Sequence, residues 1–257
     1  MIKLLCNDVE IPFTTTVFPD GTSQVWKLDP TNLDNSEETI ILWLFENEAE
    51  LFHICQLAAL LYEEYDCSVD LRAPYLPYGR QDKDISNKLS FALTVAKEVL
   101  YNAGITRIET FDAHSKTDMV YDIPGIGVED FHISILNHDV ICYPDKGAAI
   151  RYGSYGKPTV FCEKVRNQLT GEITGLKVIC DTDLTDKNVL IIDDICDGGM
   201  TFIKVAEALQ VFHPKSIDLA VSHGIFSKGK QVLHDAGITE IYTTNSLLKN
   251  PDGYEVW

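Results

Sequence analysis

Short runs of branched apolar residues alternate along this chain with longer segments of helical period, the order expected of parallel strands joined by crossover helices. Residues 39–45, 69–75 and 107–111 read as strands. Between them lie helices over 48–64, where Leu51, Ile54, Cys55, Ala58 and Leu61 recur at helical spacing, and over 91–102, stopped by Gly104. A stretch richer in turn residues follows, with Pro124, Gly125, Gly127 and Asn137, and the alternation then restarts. Strands are expected over 140–143, 160–163, 176–180, 189–193, 217–221 and 240–243, with helices near 147–155, 201–211 and 229–236. The pattern gives two domains, 1–130 and 131–257, and no repeat of solenoid type.

Charge narrows what such a chain binds. Lys and Arg number 21 against 39 Asp and Glu, a formal net charge of −18, which repels a phosphate backbone and excludes non-specific nucleic-acid binding. Any phosphate must then be held by local cations, backbone amides or a metal. No apolar run approaches a bilayer span, so no membrane partner is expected, and the N-terminus lacks the order of a signal peptide. The seven cysteines are scattered without a C-x-x-C pair, as expected of buried apolar residues in a reducing, cytoplasmic protein. Cys196 alone falls in a candidate active loop, where packing is favoured over a reactive thiol.

That loop carries the chemistry. Val189, Leu190, Ile191 and Ile192 form a buried strand that is expected to end in Asp193 and Asp194, before Cys196, Asp197, Gly198 and Gly199 turn the chain into a helix. At such a strand end a glycine turn lets amides and a helix N-terminus face an anion. Paired carboxylates suit vicinal sugar hydroxyls, and Thr201 adds a hydroxyl for phosphate. A structural Asx turn accounts for one aspartate and the glycines; it accounts poorly for three aspartates that repel one another.

The segment resembles the ribose-phosphate loop of type I phosphoribosyltransferases and of ribose-phosphate pyrophosphokinases, the synthases of phosphoribosyl diphosphate (PRPP). Other segments favour the synthases. APYLPYGRQDK, residues 73–83, is similar to their ATP-contacting segment, and FDAH, residues 111–114, to their D-L-H site. YPDKG, residues 143–147, resembles the P-D-x-G loop, FPDG, residues 18–21, the F-x-D-G element that reaches a neighbouring subunit's nucleotide, and EKVR, residues 163–166, the K-x-R catalytic flap. These matches run in family order over nearly the whole chain.

The resemblance implies two phosphoribosyltransferase-like domains, each a mainly parallel sheet flanked by helices, in a homo-oligomer of two or more chains. It implies Mg²⁺-dependent transfer of the β,γ-diphosphoryl group of ATP to the C1 hydroxyl of ribose 5-phosphate, giving PRPP and AMP. Lys164 and Arg166 would be catalytic; Phe18, Asp20, Arg80, Gln81 and His114 would bind ATP; His114 and Asp145 would hold the metal. Asp193, Asp194, Asp197, Gly198, Gly199, Met200 and Thr201 would bind the ribose phosphate. Read from spacing alone, Lys164 and Arg166 fit a solvated hairpin with its tip over 167–175, Arg80 could pair with Asp82 or Asp84, and Phe18 could be core.

The chain also departs from the family. Where the loop usually carries D-T-G-G-T, this chain has Asp197, Gly198, Gly199, Met200 and Thr201, losing one hydroxyl and gaining a bulky side chain. A terminal phosphate dianion would miss that donor more than a phosphodiester would, which opens a 5-substituted ribose such as ADP-ribose as acceptor. Thr22 replaces a family Glu, and residues 29–38 lack the basic loop tied to phosphate and ADP regulation. A transferase using PRPP with a base, or a non-catalytic nucleotide-binding regulatory paralogue, are the competing readings. The first has no evident use for the Arg80–Gln81 and FPDG segments; the second should have lost Lys164.

Overall fold

The computed structural model describes residues 1–33, 38–82, 90–115, 117–123, 137–153, 155–166, 173–247 and 255–256. It divides into two compact units, Met1–Ile126 and Gly127–Trp257. Among the described residues no helix is long and apolar enough to cross a membrane.

The first unit opens with β1 (Ile2–Cys6), β2 (Val9–Ile11), β3 (Thr14–Val17) and β4 (Ser23–Trp26), all before the first strand expected from the sequence. β3 and β4 form a separate antiparallel hairpin. β5 (Thr39–Trp43), α1 (Ala49–Tyr65), β6 (Asp70–Arg72), α2 (Ala92–Asn102), β7 (Ile108–Thr110) and β8 (Val120–Asp122) follow, in a sheet ordered β2-β1-β5-β6-β7-β8. β5 to β8 pair in parallel, while β1 runs antiparallel to both β2 and β5. β6 is shorter than the expected 69–75 because Pro74 has no N–H to donate; the Ala73 amide makes the last bond on that side, to the Glu109 carbonyl at 2.8 Å.

α1 buries Ile54, Leu57, Ala58 and Leu61, each 0% exposed, against a core that includes Leu4, Ile41, Leu71 and Ile108. On the sheet surface Glu109, 4% exposed, receives Arg72 Nη2 at 2.8 Å and Arg107 Nη2 at 3.2 Å. Removing Glu109 would leave two guanidinium groups facing each other without their shared carboxylate. Glu109→Ala is expected to cost about 2–3 kcal/mol, below the range for a fully buried pair because both arginines are partly solvated. Denaturant titration of parent and variant measures it, and a difference under about 0.5 kcal/mol would show that solvent replaces the pair.

The second unit contains β9 (Val140–Tyr143), α3 (Lys146–Tyr152), β10 (Thr159–Arg166), β11 (Ile173–Ile179), β12 (Asn188–Cys196), α4 (Met200–Gln210), β13 (Ser216–Gly224), α5 (Gln231–Asp235), β14 (Ile241–Thr243) and β15 (Glu255–Val256). Its sheet runs β11-β10-β9-β12-β13-β14-β15 and is parallel except for the antiparallel β10–β11 pair. β12 lies between β9 and β13, and Val189 to Ile192 are all 0% exposed, the unbroken apolar run of a strand covered on both faces. α4 packs Phe202, Val205, Ala206 and Leu209 onto this core at helical spacing.

β12 is longer than expected. Instead of ending at Asp193 it continues to Cys196, because β13 runs beside it with Ile195 opposite His223 and Cys196 opposite Gly224. Asp193 and Asp194 therefore belong to the strand itself, and the turn begins only at Asp197.

Candidate functional site

In the second unit the carboxyl end of β12 gathers the acidic residues. Asp194, 3% exposed, takes an ion pair from Arg151 Nη1 of α3 at 3.1 Å, so one buried carboxylate is met by one cation. The Asp193 carboxyl accepts the Asp194 amide at 3.0 Å. Burial, the neighbouring Asp194 charge and then the charge of Asp145 hold Asp193 well above the usual carboxylate range. Proton affinity at Asp193 is therefore raised in the free site. A protonated Asp193 can donate as well as accept, and an incoming cation or a pair of hydroxyls would displace that proton.

Asp145 caps α3: its Oδ1 accepts the Gly147 amide at 2.8 Å and the Ala148 amide at 3.1 Å. Asp197 accepts the Ser227 hydroxyl at 2.6 Å. Gly198 and Gly199 then lead into α4, with Gly199 at φ +77 and no side chain capping the helix. A Cβ on Gly199 would also meet Leu233 Cδ2 at 2.8 Å, so both backbone angle and packing demand glycine. The first amides of α4 are left to face an external acceptor, with Met200 53% exposed beside them. Cys196 is fully buried and its thiol is pushed up to about 12 by burial and then by Asp197 and Asp193. It is a packing residue, and all seven cysteines are free thiols.

Lys164 and Arg166 lie in β10, which pairs with β11 so that Lys164 stands opposite Leu176 and Arg166 opposite Ile173. The register shifts between Val165 and Arg166, so the hairpin is irregular at that point. Residues 167–172, most of the expected flap tip, lie outside the described residues.

The nucleotide-type residues fall in the first unit, and two of their three segments meet there. Phe18–Gly21 is the turn of the β3–β4 hairpin, closed by the Gly21 amide on the Phe18 carbonyl at 2.9 Å. Phe18 is 42% exposed and so is not a core residue. The Thr22 hydroxyl and amide both bond Asp20 and hold its carboxyl below the usual range. Arg80 and Gln81 follow a turn in which the Gln81 amide bonds the Tyr78 carbonyl at 2.8 Å. That turn packs on His114, whose Cβ lies 3.6 Å from where a Gly79 Cβ would stand, and the Ser115 hydroxyl bonds Asp82. Arg80, Gln81 and His114 are thus neighbours beyond the carboxyl ends of β6 and β7.

Arg151 and the Ser227–Lys228 pair are absent from the residues expected from the sequence. Arg151 reads there as an ordinary helix residue, and only the packing of α3 beside β12 reveals its partner. Ser227-Lys228-Gly229 reads as a loop signal without chemistry. His223 is 4% exposed and bonded to Ser246 Oγ at 2.8 Å, as a structural residue is.

Comparison with known proteins points in one direction. Residues 154–253 match the phosphoribosyl transferase domain. The chain is 28% identical over 206 residues to a ribose-phosphate pyrophosphokinase of Mycoplasmopsis pulmonis, covering 74% of this chain and 61% of that protein. It is 24% identical over 250 residues to that of Sulfurisphaera tokodaii, covering 91% and 84%. The matched part thus spans about three fifths of the bacterial relatives from M. pulmonis (61%) and Porphyromonas gingivalis (59%). Among solved structures, phosphoribosylpyrophosphate synthetase of Mycobacterium smegmatis superposes with TM-score 0.73 at 22% identity, covering 97% of this chain and 86% of that one. The fold is therefore that of two phosphoribosyltransferase-like units.

Proposed function

We propose, from its similarity to ribose-phosphate pyrophosphokinases and its phosphoribosyl transferase domain match, that this chain transfers the β,γ-diphosphoryl group of ATP to the C1 hydroxyl of a ribose 5-phosphate unit. The acceptor is ribose 5-phosphate, and the products are PRPP and AMP. The observation that carries this reading is the Asp193–Asp194 pair, with Asp194 buried and met by Arg151, leading into the uncapped amides of α4. Carboxylates at one end of a short loop and free helix amides at the other are the complements of a ribose diol and its 5-phosphate. Asp197, Gly198, Gly199, Met200 and Thr201 form the phosphate end.

Phosphoryl transfer depends on alignment and on cations where charge gathers. Lys164 and Arg166 supply them from β10, and Arg80, Gln81 and His114, with Phe18 and Asp20 of the β3–β4 turn, bind ATP. Mg²⁺ fits the donor set. Among the described residues no cluster of three or more His, Cys, Asp or Glu would cage a metal. Mg²⁺ asks for no cage, since it keeps several waters and takes one or two carboxylates plus substrate phosphates. Asp145, whose charge acts on Asp193, would supply the protein oxygen ligand in the second unit, and His114 would meet the nucleotide in the first. When bound, the ion neutralises charge on the transferring phosphates.

A second reading concerns the acceptor. Met200 is 53% exposed at the first residue of α4, where a substituent on the 5-phosphate would leave the site, and Gly198 brings no hydroxyl for a terminal dianion. ADP-ribose is the acceptor such a loop would tolerate.

Phosphorus NMR of mixtures containing Mg·ATP with ribose 5-phosphate or ADP-ribose tests both. A diphosphate attached to C1 is expected, and the acceptor that gives it faster is the substrate. Formation of a C1 monophosphate, or no C1 ester with either sugar, would overturn the reading.

A further inference from the structure

Beyond β13 a tight turn brings a lysine onto the ribose-phosphate loop. Gly224 ends the strand, and a Cβ there would meet the Phe226 ring at 2.1 Å, so only glycine lets the ring fold back. The Ile225 and Phe226 amides both donate to the Cys196 carbonyl, at 2.9 and 3.1 Å. The Gly229 amide donates to the Phe226 carbonyl at 2.8 Å, which makes Ser227 and Lys228 the central residues of a four-residue turn. Ser227 Oγ donates to Asp197 Oδ1 at 2.6 Å. The turn is therefore tied by its backbone to the last residue of β12 and by a side chain to the first residue of the loop.

Lys228 crosses that loop. A Cβ on Gly198 would stand 3.5 Å from Lys228 Cε and 3.7 Å from Cδ, so the ammonium, one bond further, is within reach of a group seated at Gly198 to Thr201. Its side chain is exposed and keeps three donors to offer. The loop is short of side-chain donors to add to its amides, since Gly198 and Met200 bring none and Thr201 brings one. A phosphoryl oxygen left unmatched there finds its donor and its counter-charge on a different segment, held in place before the ligand arrives.

We propose that Lys228 binds the phosphoryl group on C5 of the acceptor and sets the preference for a 5-phosphorylated ribose over ribose itself. The proposal rests on the ribose-phosphate reading of this loop. An ammonium is a point charge without the fork geometry of a guanidinium, so it serves a phosphomonoester and a phosphodiester alike. Lys228 therefore selects for the phosphoryl group, and Met200 is left to distinguish what is attached to it.

Calorimetric titration of ribose, ribose 5-phosphate and ADP-ribose into the parent, Lys228→Ala and Lys228→Arg tests this, with AMP release followed on the same samples. Lys228→Ala is expected to bind the phosphorylated sugar about tenfold more weakly or worse, with ATP affinity unchanged. Lys228→Arg should retain most of the affinity, and the loss in the alanine variant should shrink at high salt. The proposal is overturned if Lys228→Ala binds both phosphorylated sugars within about twofold of the parent, or if the parent binds neither. An affinity loss in Lys228→Ala when the parent releases no AMP would keep the lysine's role and overturn the transfer reaction instead.

Discussion

Asp193→Asn is expected to lower turnover by about tenfold to a hundredfold while making the second unit harder to unfold than the parent as pH rises. Both effects have one cause. Burial, the Asp194 charge and the Asp145 charge raise the Asp193 pKa in the folded protein above its ordinary value of 3.8. A raised folded pKa contributes stability that is fully present below the unfolded value. That stability is lost as pH rises through the folded one. Asparagine carries no proton to lose and keeps an oxygen for the Asp194 amide, so the stability gap between variant and parent should widen in the variant's favour as pH rises above 3.8. The same substitution removes the charged acceptor that a ribose diol or a cation would engage. Melting curves across this range, with initial rates alongside, are the check. A gap that stays flat with pH would mean that Asp193 is ionised in the free protein, and full turnover would remove it from the acceptor site.

Lys164→Ala should lower kcat by about a hundredfold to a thousandfold and change the KM for either substrate much less. A protein of net charge −18 must place cations where negative charge collects in the transition state. β10 carries Lys164 and Arg166 to the end of the β10–β11 pair where the two strands connect, at an irregularity in its register. An interaction made mainly as the diphosphoryl group moves appears in kcat; one made equally with bound ATP appears in KM. Steady-state kinetics separate the two. A variant within about tenfold of the parent would exclude the lysine from the reaction and leave the hairpin as a solvated surface feature.

The parts of the fold that the sequence made legible are those whose burial is complete. Val189 to Ile192 could only be a strand covered on both faces, and the helical spacing of Phe202, Val205, Ala206 and Leu209 could only face a core. β2 to β4 were not legible, because strands of three or four residues with half or more of their side chains in solvent, such as Thr14–Val17, carry no strong period. The true end of β12 was hidden for a different reason: it is set by how far β13 runs alongside, and Ser216–Gly224 is itself longer than its own apolar run.

The candidate site divides in the same way. Its carboxylates and glycines were visible because three aspartates and a Gly-Gly pair after an apolar run are costly without a function. The groups that answer those charges were not visible. Arg151 meets Asp194, and Lys228 meets Gly198, only through the packing of α3 and the turn after β13 against β12. The raised pKa of Asp193 likewise follows from burial beside a second carboxylate, which a sequence pattern does not report.

The nucleotide released from Mg·ATP in the presence of ribose 5-phosphate or ADP-ribose tests the central claim most directly. Diphosphoryl transfer predicts AMP, formed in step with acceptor consumed and absent without an acceptor. ADP as the product would mean that a single phosphoryl group moves, and would contradict the reaction proposed for this site.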